Sequence, residues 1–394
     1  MVPKVQLKEL CKTEITDGTH KTPTYADSGY IFLSSKNVTT GKINWNDVMY
    51  IPEELHNELY ARIKPQKDDI LLAKNGTTGV AAIVDRDEVF DIYVSLALIR
   101  PDKEKVEPRY LLHAINSEPS KKFFSEHLKG IGVPNLHLTH IRETPIKVPS
   151  IVEQKKIIDV LDKVDELISY RKEQLAKLDE LVKSRFVEMF GNVEHNEKRL
   201  NILSMTDLCE IIDGDRGKNY PKQEEFLEEG FCLFLNAKNV TANGFSFENS
   251  MYITEEKDNS LRKGKLSRGD VVLTTRGTIG NLAFYDDSVP YEHMRINSGM
   301  VILRMKHDCI TERFFIEQFK MQLASIKEKI ANGSAQPQLP ISTMNKIMML
   351  VPDIELQNQF ASFVEQTKKT KAEVQQSLEK LETLKKSLMQ KYFG

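Results

Sequence analysis

The 394-residue chain has no excess of charge of either sign, since 55 Lys and Arg stand against 57 Asp and Glu. A simple basic protein that coats nucleic acid along its whole surface is thereby excluded. Long apolar runs are also missing. Stretches such as Ile70 to Leu72 or Met348 to Val351 fall far short of the ~20 residues needed to cross a bilayer, so no membrane association is expected. The opening segment MVPKVQLKEL has polar residues where a secretory signal would be apolar, and a cytoplasmic location is the expectation. Cysteine is sparse: Cys11, Cys209, Cys232 and Cys309 form no CxxC pair and have no histidine at zinc spacing. Reduced thiols and no metal are expected. A 40% hydrophobic content is enough to bury a core in each of two or three domains.

Catalytic signatures are lacking too. There is no GxxxxGK[ST] phosphate loop, no GxGxxG, and no Asn-Pro-Pro-aromatic or Asp-Pro-Pro-aromatic tetrapeptide of the kind amino-methyltransferases use. ATP hydrolysis and methyl transfer are therefore not expected of this chain. A nuclease pattern has only Pro101-Asp102 and a distant Glu153-Gln154-Lys155, too far apart to carry weight.

What is present is a repeat. The second half echoes the first at an offset of about 200 residues: Leu10-Cys11 with Leu208-Cys209, Asp17-Gly18 with Asp213-Gly214, and Lys36-Asn37-Val38 with Lys238-Asn239-Val240. The matches continue with Gly76-Thr77-Thr78-Gly79 and Gly277-Thr278-Ile279-Gly280, Pro134 and Pro337, Val148-Pro149 and Val351-Pro352, and Gln154 and Gln357. They end on LDELVKSRFVEMFG against LETLKKSLMQKYFG. A period this long means two copies of one module rather than a solenoid. The offset drifts in the first part of each copy and is constant from Pro134 onward, so each copy joins a globular part to a part of fixed length.

The fixed parts read as long helices. Ser150 and Glu153 form a capping box, and Gly191 lies where a helix-ending glycine belongs. Between them Ile157, Leu161, Val164, Ile168, Leu175, Leu178, Val182 and Met189 recur at spacings of four and three, interrupted at Arg171 and Arg185. The second copy, with Asp353 as its N-cap, gives Phe360, Val364, Val374, Leu378, Leu381, Leu388 and Tyr392, interrupted at Thr367, Lys371 and Lys385. These are heptad seams on helices of about 40 residues, ~60 Å long. Each seam needs a partner, either the other helix or the helix's own globular part, and the strictness of the repeat favours the pair.

In the globular parts, Ile70 to Ala73 with Val80 to Val84 reads as a hairpin, as does Val271 to Thr274 with Asn281 to Tyr285. Helices are expected over Pro108 to Leu128 and Glu312 to Ile330. The fold class is α+β, with domains at 1–149 and 192–351 and helical spacers at 150–191 and 352–394.

The polar repeated segments hold the candidate binding residues. TDGTHKTP places Thr19, His20 and Lys21 after an Asp-Gly turn, and IDGDRGKNYP places Arg216, Lys218, Asn219 and Tyr220 at the matching point. Such groups suit phosphates and base edges, or else the loops are merely solvated turns. Lys74, Asn75 and Thr77 flank one glycine turn, and Arg276 and Thr278 the other. A tight turn is a sufficient explanation there, although a turn still presents its flanking cations. Lys36, Asn37, Lys238 and Asn239 either cap strands or touch a ligand. Gln336 and Gln338 around Pro337, and Asn135 after Pro134, are second-rank candidates.

With the duplication, the two capped helices and the TDGTHKTP and DGDRGKNYP segments together, the whole chain resembles the specificity (S) subunit of type I restriction-modification systems. Val148-Pro149 leading to Glu153-Gln154 is similar to that family's entry into its helix; the second copy departs from it with Glu355-Leu356-Gln357. The resemblance implies two target-recognition domains alternating with two helical regions that pair antiparallel. It also implies double-stranded DNA as ligand, and partners in two methyltransferase (M) subunits and, in the full complex, restriction (R) subunits. S-adenosylmethionine and ATP would then be used only by the partner subunits. The rival readings are a stand-alone methyltransferase or nuclease with diverged motifs, and a scaffold whose helices dimerise larger partners.

Overall fold

The computed structural model describes residues 2–128, 134–192, 195–306, 308–331 and 338–394. It divides into two compact units, one made of Met1–Glu173 with Gln375–Gly394 and the other of Gln174–Val374.

In the first unit the strands are β1 (Lys4–Gln6), β2 (Thr16–Asp17), β3 (Tyr30–Leu33), β4 (Met49–Ile51), β5 (Ile70–Ala73), β6 (Ala81–Ile83), β7 (Phe90–Ile92), β8 (Leu96–Ile99) and β9 (Pro145–Lys147). They form an antiparallel sheet ordered β2-β8-β5-β6, a sheet ordered β4-β3-β7 in which β3 and β7 run parallel, and the pair β1-β9. The helices are α1 (Glu53–Arg62), α2 (Pro108–Ile115), α3 (Glu118–Glu126), α4 (Leu138–Glu143) and the 40-residue α5 (Ile151–Phe190).

The second unit repeats this plan. Its strands are β10 (Asn201–Ser204), β11 (Cys209–Asp213), β12 (Cys232–Leu235), β13 (Val240–Thr241), β14 (Gly244–Phe245), β15 (Tyr252–Ile253), β16 (Val271–Thr274), β17 (Leu282–Phe284), β18 (Met294–Ile296), β19 (Met300–Met305) and β20 (Met348–Val351). The sheets β11-β19-β16-β17, β15-β12-β18 and β10-β20 match those of the first unit strand for strand, and the small hairpin β13-β14 is additional. Its helices are α6 (Met205–Leu208), α7 (Glu255–Ser260), α8 (Glu312–Ala331), α9 (Ile341–Met344) and the 40-residue α10 (Ile354–Phe393).

The short apolar runs become strands because both faces of the central sheet are covered. In β5, Ile70 and Leu72 enter one core while Leu71 and Ala73 enter another; in β16, Val271 and Leu273 oppose Val272 in the same way. Side chains alternate across a strand, so a sheet buried on both faces is apolar at every position.

One expected helix is divided. Pro108 to Leu128 forms α2 and α3, because the Asn116 side chain leaves the helical path to exchange two 2.9 Å bonds with the backbone of Ala81, and Ser117 caps a new helix with Pro119 in its first turn. The matching α8 has no proline and is continuous.

The long helices pair through their seams within each unit. In the first unit Ile157, Leu161 and Val164 of α5 and Leu378 of α10 are buried, with Ile168, Leu381 and Leu388 half-buried. In the second, Phe360 and Val364 are buried, and Leu175, Leu178, Val182 and Val374 are half-buried. Polar interruptions of the seam are used across it. Lys385 meets Asp165 at 2.5 Å, Arg171 Nε donates to Ser377 Oγ at 3.2 Å, and Lys371 meets Asp179 at 2.6 Å. These contacts pair rising positions on α5 with falling positions on α10, which makes the helices antiparallel. Both candidate partners for the seams are in place, since Ile157 and Leu161 also enter the core of the first unit and Phe360 and Val364 that of the second.

Candidate nucleic-acid interface

Each unit carries a cluster of polar loops at corresponding ends of its strands. In the first unit the cluster starts after β2, where Gly18 lies so close to the β7 end that an added Cβ would sit 1.9 Å from the Ile92 carbonyl oxygen. No other residue fits there. The Thr19 N–H donates to Ile92 O at 3.1 Å, and Val94 N–H donates back to Thr19 O at 3.0 Å. Gly214 stands in the same relation to Asn297, at 2.1 Å. The repeated Asp-Gly therefore docks each loop onto the end of a parallel strand, beyond forming a turn.

A connecting segment organises the rest. Ser95 Oγ accepts from Ser35 N–H at 3.0 Å, and its carbonyl accepts from Lys74 N–H at 2.9 Å. Gly299 likewise accepts from the N–H groups of Thr275 and Arg276, at 2.9 and 3.2 Å. Loop by loop, Thr19–Lys21, Ser35–Lys36, Lys74–Thr77 and Asn135 thus border one surface in the first unit. Arg216–Asn219, Lys238, Arg276–Thr278 and Gln338 belong to the corresponding loops of the second. The glycine turns hold φ of 76° at Gly76 and 71° at Gly277, the left-handed region that glycine adopts without strain.

The candidate residues divide into outward and inward groups. His20, Lys21, Lys36, Thr77, Arg216, Lys218, Lys238, Arg276 and Thr278 are exposed. Lys74 is buried and ion-paired with Asp17, so its charge is spent inside the module. Asn37 and Asn239 are also buried, each closing a 3-10 turn: their Oδ1 atoms accept from Ser34 and Asn236 N–H, and their Nδ2 atoms donate to carbonyls seven and ten positions on. These three expected surface contacts are structural because their polar atoms are already satisfied. Thr19 is buried at its bridge to Tyr93. Asn219 donates to Ser260 O at 2.9 Å, and Tyr220 packs its ring on Phe234. Asn75 and Asn135 meet as a bridge, and among the described residues their buried Oδ1 atoms have no partner. Gln338 meets Arg276 by the same kind of bridge, whereas Gln336 and Pro337 lie outside the described residues.

Electrostatics differ between the two loops after the Asp-Gly turns. The Asp215 carboxylate accepts from Gly217 N–H at 2.8 Å and Arg262 N–H at 2.7 Å, and these bonds hold its pKa below the usual carboxylate range despite burial. That fixes Arg262, whose guanidinium lies against Gly217, and the neighbouring Lys263, both exposed. Neither was singled out from the sequence, although the run Arg262-Lys263-Gly264-Lys265 was the available signal. The central segments Tyr93–Ser95 and Asn297–Gly299 also escaped notice, since they contribute mainly backbone. Burial pushes the Cys11, Cys209 and Cys232 thiols up to about 12, which leaves them protonated and unreactive.

The architecture is a duplicated α+β protein, with one polar platform per copy and half of each long helix in each unit. The description "Type I restriction modification DNA specificity domain" fits residues 2–180 and again 198–383, and the chain belongs to this family of type I specificity subunits. It is 26% identical over 333 residues to the type I restriction enzyme MjaIX specificity subunit of Methanocaldococcus jannaschii, covering 80% of this chain and 74% of that protein. With the MjaVIII specificity subunit of the same organism it shares 28% over 203 residues, and that match spans about half of each protein (50% and 47%). The fold is also that of the S subunit from M. genitalium, at a TM-score of 0.57, 15% identity and 100% and 96% coverage. A chain from a structure of type I R-M complex assembly superposes at 0.62, with 17% identity and 100% and 98% coverage.

Proposed function

We propose that this chain is the sequence-reading, non-catalytic subunit of a type I restriction-modification complex, with each module contacting one half of a split, asymmetric DNA target. The carrying observation is that one strand plan presents different side chains at matching loop positions: His20 and Asn75 in one copy, and Arg216 and Arg276 in the other. A shared scaffold with different polar termini suits a protein that reads two unlike base sequences on a uniform phosphate backbone. A scaffold that only dimerises larger partners would leave these loops without a use.

The paired helices set the half-site spacing and dock two methyltransferase subunits through faces outside the seam, while S-adenosylmethionine and ATP are used by the methyltransferase and restriction subunits. Val160, Leu167 and Tyr170 are exposed on α5 in the first unit and suit an apolar partner surface. Because basic and acidic residues nearly balance, the isolated chain binds DNA weakly, and partner subunits supply most phosphate contacts. Work on chromosomal DNA places the complex in the cytoplasm.

The test is co-expression with a type I methyltransferase subunit from the same source, in a methylation-free host, with genome-wide mapping of adenine methylation. A split asymmetric motif that appears only with this chain is the expected result. A stable complex that methylates without sequence preference, or methyl-donor turnover by the lone chain, would refute the reading.

A further inference from the structure

The Arg276 guanidinium is exposed at the glycine turn after β16, and its Nε donates to Gln338 Oε1 at 2.9 Å. A backbone bridge between the same two residues fixes their spacing. Among the described residues neither a carboxylate nor any other side-chain or backbone acceptor pairs with the Arg276 Nη atoms. Its neighbour Arg216 differs, because Asp213 lies 3.0 Å from its Nη2. Arg276 therefore offers a charged fork whose plane is held from the side while its two-nitrogen end has no partner among the described residues.

We infer that Arg276 reads a guanine in the major groove through O6 and N7, and that Gln338 is the positioning residue that orients it. This rests on the reading of the chain as a DNA specificity subunit. Two arguments favour a base over a phosphate. A phosphate accepts an arginine from many directions, so fixing the guanidinium plane gains little, whereas a guanine edge demands two parallel bonds in that plane. The phosphate backbone is also the same in both half-sites, yet the first unit carries neutral Asn75 and Asn135 where the second carries Arg276 and Gln338. A charge present in only one copy of a repeated turn follows the base sequence, which differs between half-sites.

The test uses the full complex with its methyltransferase subunit and duplexes carrying the motif found by methylation mapping, each guanine replaced in turn by 7-deazaguanine, which lacks the N7 acceptor. At one guanine the substitution should weaken binding by about tenfold for the parent complex and cost nothing further in Arg276→Ala, which loses its preference for that guanine over adenine. Gln338→Ala should lose part of the same preference. Gln338→Glu, which keeps an acceptor for Nε, should restore the preference even if its added charge weakens all duplexes equally. Uniform weakening of every duplex by Arg276→Ala, with the 7-deazaguanine effects unchanged, would make Arg276 a phosphate contact and overturn the inference. Identical base preference in Gln338→Ala and the parent would remove the positioning role. Selective methylation in either case would leave the proposed function standing, while a complex with no sequence preference would refute both.

Discussion

Asp91 on β7 and Arg295 on β18 occupy the same place in their modules, opposite His56 of α1 and Asp258 of α7, so one buried polar pair is written with its acidic and basic members exchanged. Asp91 Oδ2 lies 2.7 Å from His56 Nδ1, and Arg295 Nε donates to Asp258 Oδ1 at 2.7 Å. A second pair is unchanged between copies: Arg100 grips Asp69 with two bonds of 2.8 and 2.7 Å, and Arg304 grips Asp270 at the same distances. Asp258→Asn would strand the buried Arg295 charge at a cost of about 3–5 kcal/mol, seen as faster amide exchange in β12 and β18 but not in β3 and β7. The pH response has opposite signs in the two modules. Burial pushes the Asp258 pKa up, but bonds from Arg295 and Lys265 outweigh it and hold the carboxyl below its ordinary value. Its stabilisation is thus complete above about pH 4 and lost as pH falls through the lowered folded value. Asp91 is raised by burial, only partly offset by His56, so the folded first module gains from Asp91 as pH falls through that raised value. Hydrogen exchange between pH 7 and 3 should show β18 opening before β7, and equal acid loss in both strands would contradict this account.

At the scale of elements, the repeated Pro-to-Gln entry into each long helix has a structural cause. Gln154 Oε1 accepts from Glu107 N–H at 2.9 Å while Nε2 donates to Pro149 O at 2.9 Å. Gln357 does the same with Thr311 N–H, Cys309 O and Pro352 O, all at 2.8 Å. Each glutamine ties the helix start to the loop before α2 or α8. Gln357→Ala leaves one buried and two part-buried backbone groups without their partner, at roughly 1–3 kcal/mol for the buried one before relaxation and less for the others, and the denaturation midpoint of the second unit should fall accordingly. Outside the seam, Leu167 of α5 is exposed; Leu167→Glu should leave thermal stability unchanged while weakening co-purification of the methyltransferase subunit, and unaltered assembly would remove that face from the docking surface. The helices, their seam and the two hairpins were legible in the sequence because heptad spacing and glycine turns are local signals. The inward fate of Lys74 was not, since its partner Asp17 is 57 positions away. Nor was the division of Pro108 to Leu128, which depends on Asn116 reaching β6. At the platform, glycine-enforced turns were visible, but the Ser95 and Gly299 connections act through backbone carbonyls and leave no side-chain pattern.

For the molecule as a whole, the chain's end belongs to its beginning. Phe393, four residues after the half-buried Met389, is buried against Tyr110 at a ring distance of 5.3 Å and joins the core of the first unit. Phe190, at the end of α5, packs on Phe314 and Phe360 at 5.0 and 5.6 Å in the core of the second. These are the phenylalanines of the repeated Phe-Gly endings, and they lie outside the heptad seam because they anchor a helix end to a module. The two anchors should therefore fail independently. Phe393→Ala should cost about 3–5 kcal/mol and act on the unit formed by Met1–Glu173 and Gln375–Gly394. Trp45, the chain's one tryptophan, stands edge-on to Phe90 at 5.4 Å in that unit, so its fluorescence transition should move to lower denaturant. Phe190→Ala should leave the tryptophan transition in place and speed amide exchange in β16 and β19. If either substitution shifted both units by the same amount, the two cores would melt as one cooperative body, and the helix ends would be common struts rather than separate anchors.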